Sequence, residues 1–388
     1  MVAANPPIGP GSATASRRTA LATPWRHVDM TLIAAVISIA GIGVLLVYSA
    51  TNRKLAAQGI DPRYYLKRQA MFIVLGLGAM LITAAIDYRS YRDFAPLLYG
   101  ATVLLLAAVI SPLGASSKGH QAWFPLGTFQ LQPSEISKIA LVVCLAAYIG
   151  QQRDGAMSVR RLITVLLLAG IPMALIMLQP DIGTDLVFGC ILAAALLIGG
   201  VKPRHLAVLF LVAIVGITGV IKSGAMQQYQ VDRLTAFLDQ THDTQGTSFN
   251  LQQSKIAIGS GGLLGKGLGR GTQTNLSYVP EQHTDFVFTV AGEELGFVGS
   301  ALLLLLFGFV VWRIWRAAAL AKDMTGAVIC VGVLALLVFQ VFENVGMTMG
   351  IMPITGIPLP FVSYGGSAML AYFVGIGLVL NVHMRRFS

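Results

Sequence analysis

A succession of apolar runs, each about twenty residues long, constrains what this chain can fold into more than any other feature. They lie near residues 30–48, 70–86, 95–111, 135–150, 162–178, 183–200, 205–221, 286–311, 326–349 and 362–382. A run of this length crosses a hydrocarbon layer as a helix, because a helix bonds every backbone N–H and C=O within its own segment. The expected fold class is an all-α polytopic membrane protein of about ten transmembrane helices. Only 11% of the residues are charged, against about a quarter in soluble domains. The net charge of +10 raises the question of nucleic acid. The lysines and arginines, however, cluster at the ends of apolar runs, where they anchor helices and attract anionic lipid, so membrane lipid is expected as a partner and nucleic acid is not. Cys144, Cys190 and Cys330 all fall within runs and form neither a disulfide framework nor a metal-type spacing.

Residues 1–27 are rich in Pro, Gly, Ala, Ser and Thr and read as a flexible tail, with 28–388 a single membrane domain. Ser16–Arg18 resembles a twin-arginine signal, but the run that follows is long enough to span and lacks a cleavage box, so it reads as an uncleaved first helix. With the N-terminus inside, about fifteen lysines and arginines face the cytosol and about six face short external loops, which places both termini in the cytosol. The dissenting segment is 51–69, with Arg53, Lys54, Arg63, Lys67 and Arg68. Residues 226–285 are the one long polar interruption and fall outside the membrane; their mixture of glycines, aromatics and β-branched residues reads as a folded lobe of tight turns.

Ionisable residues inside the runs are costly and so informative. Glu135 and Lys138 are three apart, on one helical face, and can neutralise each other. Asp181 and Asp185 open the sixth run, where Asp181 suits a helix cap and Asp185 has no evident role. Glu343 and Asn344 sit deep in the ninth and read as interhelical hydrogen-bonding groups, and His383 as interfacial. Pro172 frees a carbonyl within the fifth run and predicts a kink unless a neighbour bonds it. The stretch 350–368, GIMPITGIPLPFVSYGGSA, holds three prolines and cannot be one helix. Irregular backbone at membrane depth must be buried in protein or line a cavity.

The run NVGMTMGIMPITGIPLPFVSYGGSA, residues 344–368, resembles the signature of the SEDS family (shape, elongation, division and sporulation). Four further blocks agree in order: FQLQPSEISK, QPDIGT, QQSKIAIGSGG and VPEQHTDFVFTVAGEELGFVG. The likeness covers the chain from about residue 30 onward, and its wording is closer to the elongation-type, RodA-like branch than to the division-type, FtsW-like one.

This resemblance implies a glycosyltransferase of the bacterial cytoplasmic membrane that polymerises lipid II into peptidoglycan strands on the outer face. It implies pairing with a class B penicillin-binding protein, and one essential aspartate in the external loop, which aligns with Asp243 rather than Asp239. A sugar hydroxyl is a poor nucleophile until a positioned carboxylate accepts its proton, the role implied for Asp243. The departing diphosphate needs counter-charge. Lys118, Arg233, Lys255, Lys266 and Arg270 are available on the external side, and a divalent cation such as magnesium or manganese is a further candidate. Gly259, Gly261, Gly262, Gly265 and Gly267 would let backbone amides approach a phosphate, although no Walker pattern is present. Glu135, Lys138 and Asp181 match polar positions lining the family's cavity, and Ser363 of the broken segment joins this substrate-binding set. Where family members often carry arginine before the loop tryptophan, this chain has Ala122 before Trp123. A lipid II flippase without chemistry, and a division-type paralogue, are the alternatives.

Overall fold

The computed structural model describes residues 24–117, 120–127, 129–151, 157–222, 231, 233, 237, 247–276 and 278–387. Every apolar run falls on a helix. These are α1 (Met30–Ala57), α2 (Tyr64–Ala85), α3 (Tyr88–Ile110), α4 (Pro133–Ile149), α5 (Val159–Met177), α6 (Ile182–Ile198) and α7 (Pro203–Lys222). After α8 (Thr247–Ser260) and the single turn α9 (Thr272–Asn275) come α10 (Val287–Ala319), α11 (Met324–Met349) and α12 (Gly366–Met384). Seven of them are long and apolar enough to cross a membrane unaided, while α6 is shorter. Most of residues 1–27 lie outside the described residues, but Pro24–His27 form a 3-10 turn, with the His27 ring 5.1 Å from that of Phe387.

One small sheet lies in the connection from α3 to α4. Its strands β1 (Ala115–Ser117), β2 (His120–Leu126) and β3 (Phe129–Leu131) pair antiparallel in sequence order. Phe124 stands opposite Leu131, and Gly127, at φ 63°, turns the chain between β2 and β3. Ala122 is buried in β2.

The bundle is organised around α4 and α12. Fifteen of the seventeen residues of α4 are buried, which explains how so short a helix carries charge at membrane depth: it meets protein rather than lipid. Buried residues make up 89% of the most apolar window of α12, against 22% for α3, which turns Leu97 and Leu104 outward. α12 packs on α2, α4 on α3 and α11, and α10 on α1 and α11.

Backbone carbonyls that the helices cannot satisfy are met by side chains from elsewhere. Pro172 removes the amide that would bond the carbonyl of Leu168, four residues earlier. Tyr99 Oη of α3 donates to that carbonyl at 3.0 Å, and α5 runs through its proline as one helix. The C-terminus of α2 has no glycine cap. Instead Asn381 Nδ2 of α12 donates to Thr83 O at 2.7 Å and to Ile86 O, while Arg385 reaches Ala84 O at 3.0 Å and Ala85 O at 2.7 Å. At the same end of the bundle Asp29 caps α1 through Leu32 N–H at 3.1 Å and pairs with Arg313 of α10 at 2.5 Å.

Two outcomes are expected. Tyr99→Phe leaves Leu168 O without its donor and lowers stability in thermal melts by roughly 1–3 kcal/mol, whereas the same change in a chain carrying Pro172→Ala has little effect. Burial raises the Asp29 carboxyl, but bonds from Thr31, Leu32 N–H and Arg313 outweigh it and hold the group below its ordinary 3.8. A depressed folded pKa stabilises above the unfolded value and is lost as pH falls through the folded one. Native chain therefore loses more melting temperature than Asp29→Asn when pH falls below about 4.

Candidate functional site

The broken segment between α11 and α12 enters the protein at the end of the bundle where the long polar stretch joins α10. α11 stops at Gly350, in the left-handed region at φ 78°, and the chain reverses again at Gly356, φ 77°, and Phe361, φ 63°. Leu359, Phe361 and Val362 are fully buried. The segment lies against α1 at Gly43, where a Cβ would stand 2.6 Å from Val362 Cα, so only glycine permits the approach.

Its carbonyls and amides are bonded one by one. Asn344 Nδ2 donates to Ile357 O at 2.7 Å and to Asp285 O at 2.8 Å, tying α11, the broken segment and the start of α10 together. Gln69 Nε2 of α2 donates to Val362 O and Ser363 O at 3.3 and 3.2 Å. Ser363 Oγ accepts Leu359 N–H at 2.8 Å and donates to Thr284 O at 2.5 Å. Glu343 Oε1 accepts Thr355 Oγ1 at 2.9 Å, so the polar pair of α11 serves the broken segment rather than a neighbouring helix. Tyr65, His283 and Tyr364 form a ring cluster above it, with centroids 4.8 Å apart for Tyr65 with each partner.

The long stretch reaches this segment through Arg233, whose Nη1 donates to Thr355 O at 3.1 Å. A Cβ on Gly356 would stand 3.3 Å from Asp285 Oδ2 and 3.9 Å from Arg233 Nη1, so a cation and an acid flank the same glycine. Lys255 of α8 lies across Gly350, its Nζ 2.9 Å from where a Cβ would be. Ser254 anchors α8 by accepting Thr289 Oγ1–H at 2.6 Å and by donating to Thr348 O at 2.8 Å. Arg233, Lys255 and Ser363 thus meet one structural unit.

Glu135 and Lys138 form an ion pair of 2.7 Å on α4, with side chains 4% and 1% exposed. Lys138 Nζ lies 6.0 Å from the ring centre of Tyr372, whose hydroxyl accepts Gln340 Nε2 at 3.1 Å. Asp181 caps α6, accepting Thr184 N–H at 3.0 Å and Thr184 Oγ1 at 2.7 Å. Gly183, in the next turn, packs on Thr355 and Ile357, which sets this cap against the broken segment. Asp185 is buried, and neither of its carboxylate oxygens has a hydrogen-bond partner among the described residues.

The glycine-rich turn is a clamp rather than a phosphate cradle. Gly261, Gly262, Gly265 and Gly267 spend their amides on the carbonyls of Ile258, Gly259, Gly261 and Glu294, and Lys266 N–H bonds Glu293 O. Gly265 approaches Gly296, where α10 breaks at φ 67°, so closely that a Cβ on either would collide with the other's backbone. Glu293, a charge hidden within the apolar run 286–311, is the hub of this lobe. Its carboxylate accepts Gln273 N–H and Thr274 N–H at 2.9 Å each, and Lys266 Nζ at 2.8 Å. Lys266 therefore belongs to the lobe's internal bonding. Glu294 accepts Ser49 Oγ of α1 at 2.6 Å. Two adjacent acids inside the run 286–311 were the available signal for both.

Asp243, Asp239 and Lys118 lie outside the described residues. Among the described residues no three His, Cys, Asp or Glu side chains gather at a metal-sized site. Asn344→Ala strands one buried and one part-buried carbonyl and is expected to cost about 2–4 kcal/mol in thermal melts, and Asn344→Asp fails as well because both carbonyls need donors. Glu343→Gln, which keeps the acceptor for Thr355, is expected to melt like the native chain.

Residues 30–387 match the family model of the FtsW, RodA and SpoVE cell cycle proteins. The chain is 37% identical over 360 residues to the peptidoglycan glycosyltransferase MrdB of Escherichia coli, covering 93% of this chain and 94% of that protein. It is 35% identical over 356 residues to stage V sporulation protein E of Bacillus subtilis, covering 91% and 96%. Among solved structures it resembles the rod shape determining protein RodA of Thermus thermophilus, with TM-score 0.69 and 31% identity over 93% of this chain and 98% of that one. It also resembles a chain of a peptidoglycan synthase complex studied for its coordination of polymerization and crosslinking, with TM-score 0.79 and 33% identity over 93% and 99%. Matched over almost its whole described length, this multi-pass membrane protein belongs to the FtsW, RodA and SpoVE family of cell cycle proteins.

Proposed function

We propose that this chain is a peptidoglycan glycosyltransferase that polymerises lipid II on the outer face of the bacterial cytoplasmic membrane during cell elongation. Both termini are cytosolic in this reading, and a class B penicillin-binding protein is the partner. Asp243 acts as general base, accepting the proton of the acceptor sugar hydroxyl as that oxygen attacks the anomeric carbon of the donor. The C–O bond to the diphosphate breaks, and the electron pair leaves on the diphosphate-linked lipid.

The observation that carries this reading is the bond from Arg233 to the carbonyl of Thr355. It ties the stretch that contains Asp243 to the broken segment, where irregular backbone, Lys255 and Ser363 are already held. Cations held on one rigid unit can receive a departing diphosphate without reorganising at the moment of reaction. Arg233 and Lys255 supply counter-charge to the departing diphosphate, with Lys118 as a further contributor, while Lys266 is bound to Glu293 within the lobe. A divalent cation would share this task. In this reading Glu135 and Lys138, paired at 2.7 Å, and Asp181, which caps α6 beside the broken segment, complete the substrate-binding set.

The test is glycan-strand formation from purified lipid II by the chain together with its partner transpeptidase. Asp243→Asn is expected to lower the rate by about 100 to 10,000-fold, the usual contribution of a positioned base, while Asp239→Asn stays near the native rate. Full activity in a well-folded Asp243→Asn chain would refute the assignment of the base. Transfer of lipid II across vesicles with no polymer from any version would favour a flippase.

A further inference from the structure

The last turns of α1 carry an arginine toward the glycine-rich lobe. Ile42 and Arg53 are eleven residues apart, three turns of helix, and so share one face of α1 about 16 Å apart. Between them Ser49 donates to Glu294 at 2.6 Å and accepts Gly269 N–H at 3.0 Å. Arg53 Nη2 reaches Gly269 O at 3.4 Å, and Asn275 Nδ2 donates to the same carbonyl at 3.1 Å. These bonds seat the lobe against α1 and leave a recess of about 360 Å³ lined by Arg53, Arg270, Thr272, Asn275 and Leu276. Among the described residues no ion pair joins either guanidinium to a carboxylate.

Down the same face of α1, toward the middle of the bundle, an apolar groove of about 480 Å³ opens between α1 and α10. Ile42, Leu295, Leu302, Leu303, Leu306 and Phe309 line it. Beyond the break at Gly296, α10 rises about 15 Å from Gly299 to Phe309 along this groove. Leu295 directly follows Glu294, which is bonded to Ser49, so the groove and the recess lie on either side of one contact between α1 and α10. Around this junction Leu263, Leu264 and Leu276 of the lobe are 72%, 81% and 62% exposed, which suits a lobe resting in the membrane interface.

We propose that Arg53 and Arg270 hold the diphosphate of a long-chain lipid diphosphate whose hydrocarbon tail lies in the groove between α1 and α10. Charge selects this occupant. Two guanidinium groups that pair with no acid among the described residues match the two or more negative charges of a diphosphate better than the single charge of a phosphodiester headgroup, and each can bind phosphate oxygens through a fork of N–H donors. The groove asks only for hydrocarbon. The identity of the lipid rests on the glycosyltransferase reading, in which a lipid-linked diphosphate is both substrate and product. Arg270 thus serves here rather than beside Arg233 and Lys255, and the site docks that lipid at the bilayer surface.

The experiment measures binding without turnover. Purified chain in detergent is titrated with undecaprenyl diphosphate, dioleoylphosphatidylglycerol and inorganic diphosphate in turn, and complexes are counted by native mass spectrometry. The Arg53→Gln, Arg270→Gln double variant is expected to bind undecaprenyl diphosphate about tenfold more weakly or worse, with the Arg→Lys pair retaining most of the affinity. Leu302→Trp, which fills the groove from an exposed position, weakens undecaprenyl diphosphate but not inorganic diphosphate. Melting temperatures equal to native exclude unfolding as the cause. Unchanged binding in the double glutamine variant overturns the proposal, as does phosphatidylglycerol binding as tightly as undecaprenyl diphosphate, which would mark a general anionic-lipid site. Loss of a partner's membrane helix on Leu302→Trp, with lipid binding intact, assigns the groove to that helix and overturns it too. Because no glycan is formed in this assay, its failure is distinct from failure of the polymerase reading, which the lipid II assay reports.

Discussion

A backbone carbonyl buried at membrane depth without a donor is the constraint on which this architecture turns. The segment between α11 and α12 cannot be helical, because its three prolines remove amides and fix the chain in extended or turn geometry. It survives inside the bundle because Asn344, Gln69 and Ser363 bond its carbonyls and amides individually, and because Gly43 lets it sit flush against α1. The same solution recurs elsewhere. Tyr99 serves the carbonyl freed by Pro172, and Asn381 with Arg385 serves the open end of α2. Many polar side chains inside the bundle are therefore explained by backbone that needs them.

Asn344 and Gln69 act as donors and Asp181 as a cap, while among the described residues Arg233 and Asp285 stand beside Gly356 and Lys255 lies across Gly350. The glycine-rich lobe illustrates the opposite outcome. Its composition resembles an anion-binding turn, yet its amides are taken by carbonyls and its lysine by Glu293. The glycines are there because two stretches of backbone pass too close for any Cβ, at Gly265 and Gly296. Glycine permits close approach to a phosphate and to another chain segment alike, and only the neighbour in space distinguishes them.

Legibility in the sequence followed the range of the interaction. The Asp181 cap and the Glu135–Lys138 pair were readable because each spans a single helical turn, so periodicity alone brings the partners together. The break after Gly350 was readable because proline acts on its own backbone. Tyr99 as the rescuer of Pro172 was not, since the two lie on different helices and nothing local selects a partner 69 residues away from the carbonyl it bonds. Glu293 and Glu294 were masked by the hydrophobicity of their run, although a pair of acids there was itself a sign that α10 begins inside protein.

By itself, the amino-acid sequence determined that this chain is a helical membrane protein, where its helices run, where one of them must break, and which family it resembles. Those conclusions rest on hydrophobic length and proline chemistry, which act residue by residue along the chain. The tertiary structure alone decided which polar groups meet. Asn344 joins three elements, Glu293 gathers the lobe, and Arg233 reaches the broken segment, because a hydrogen bond needs its partner within about 3 Å and only packing brings distant residues that close.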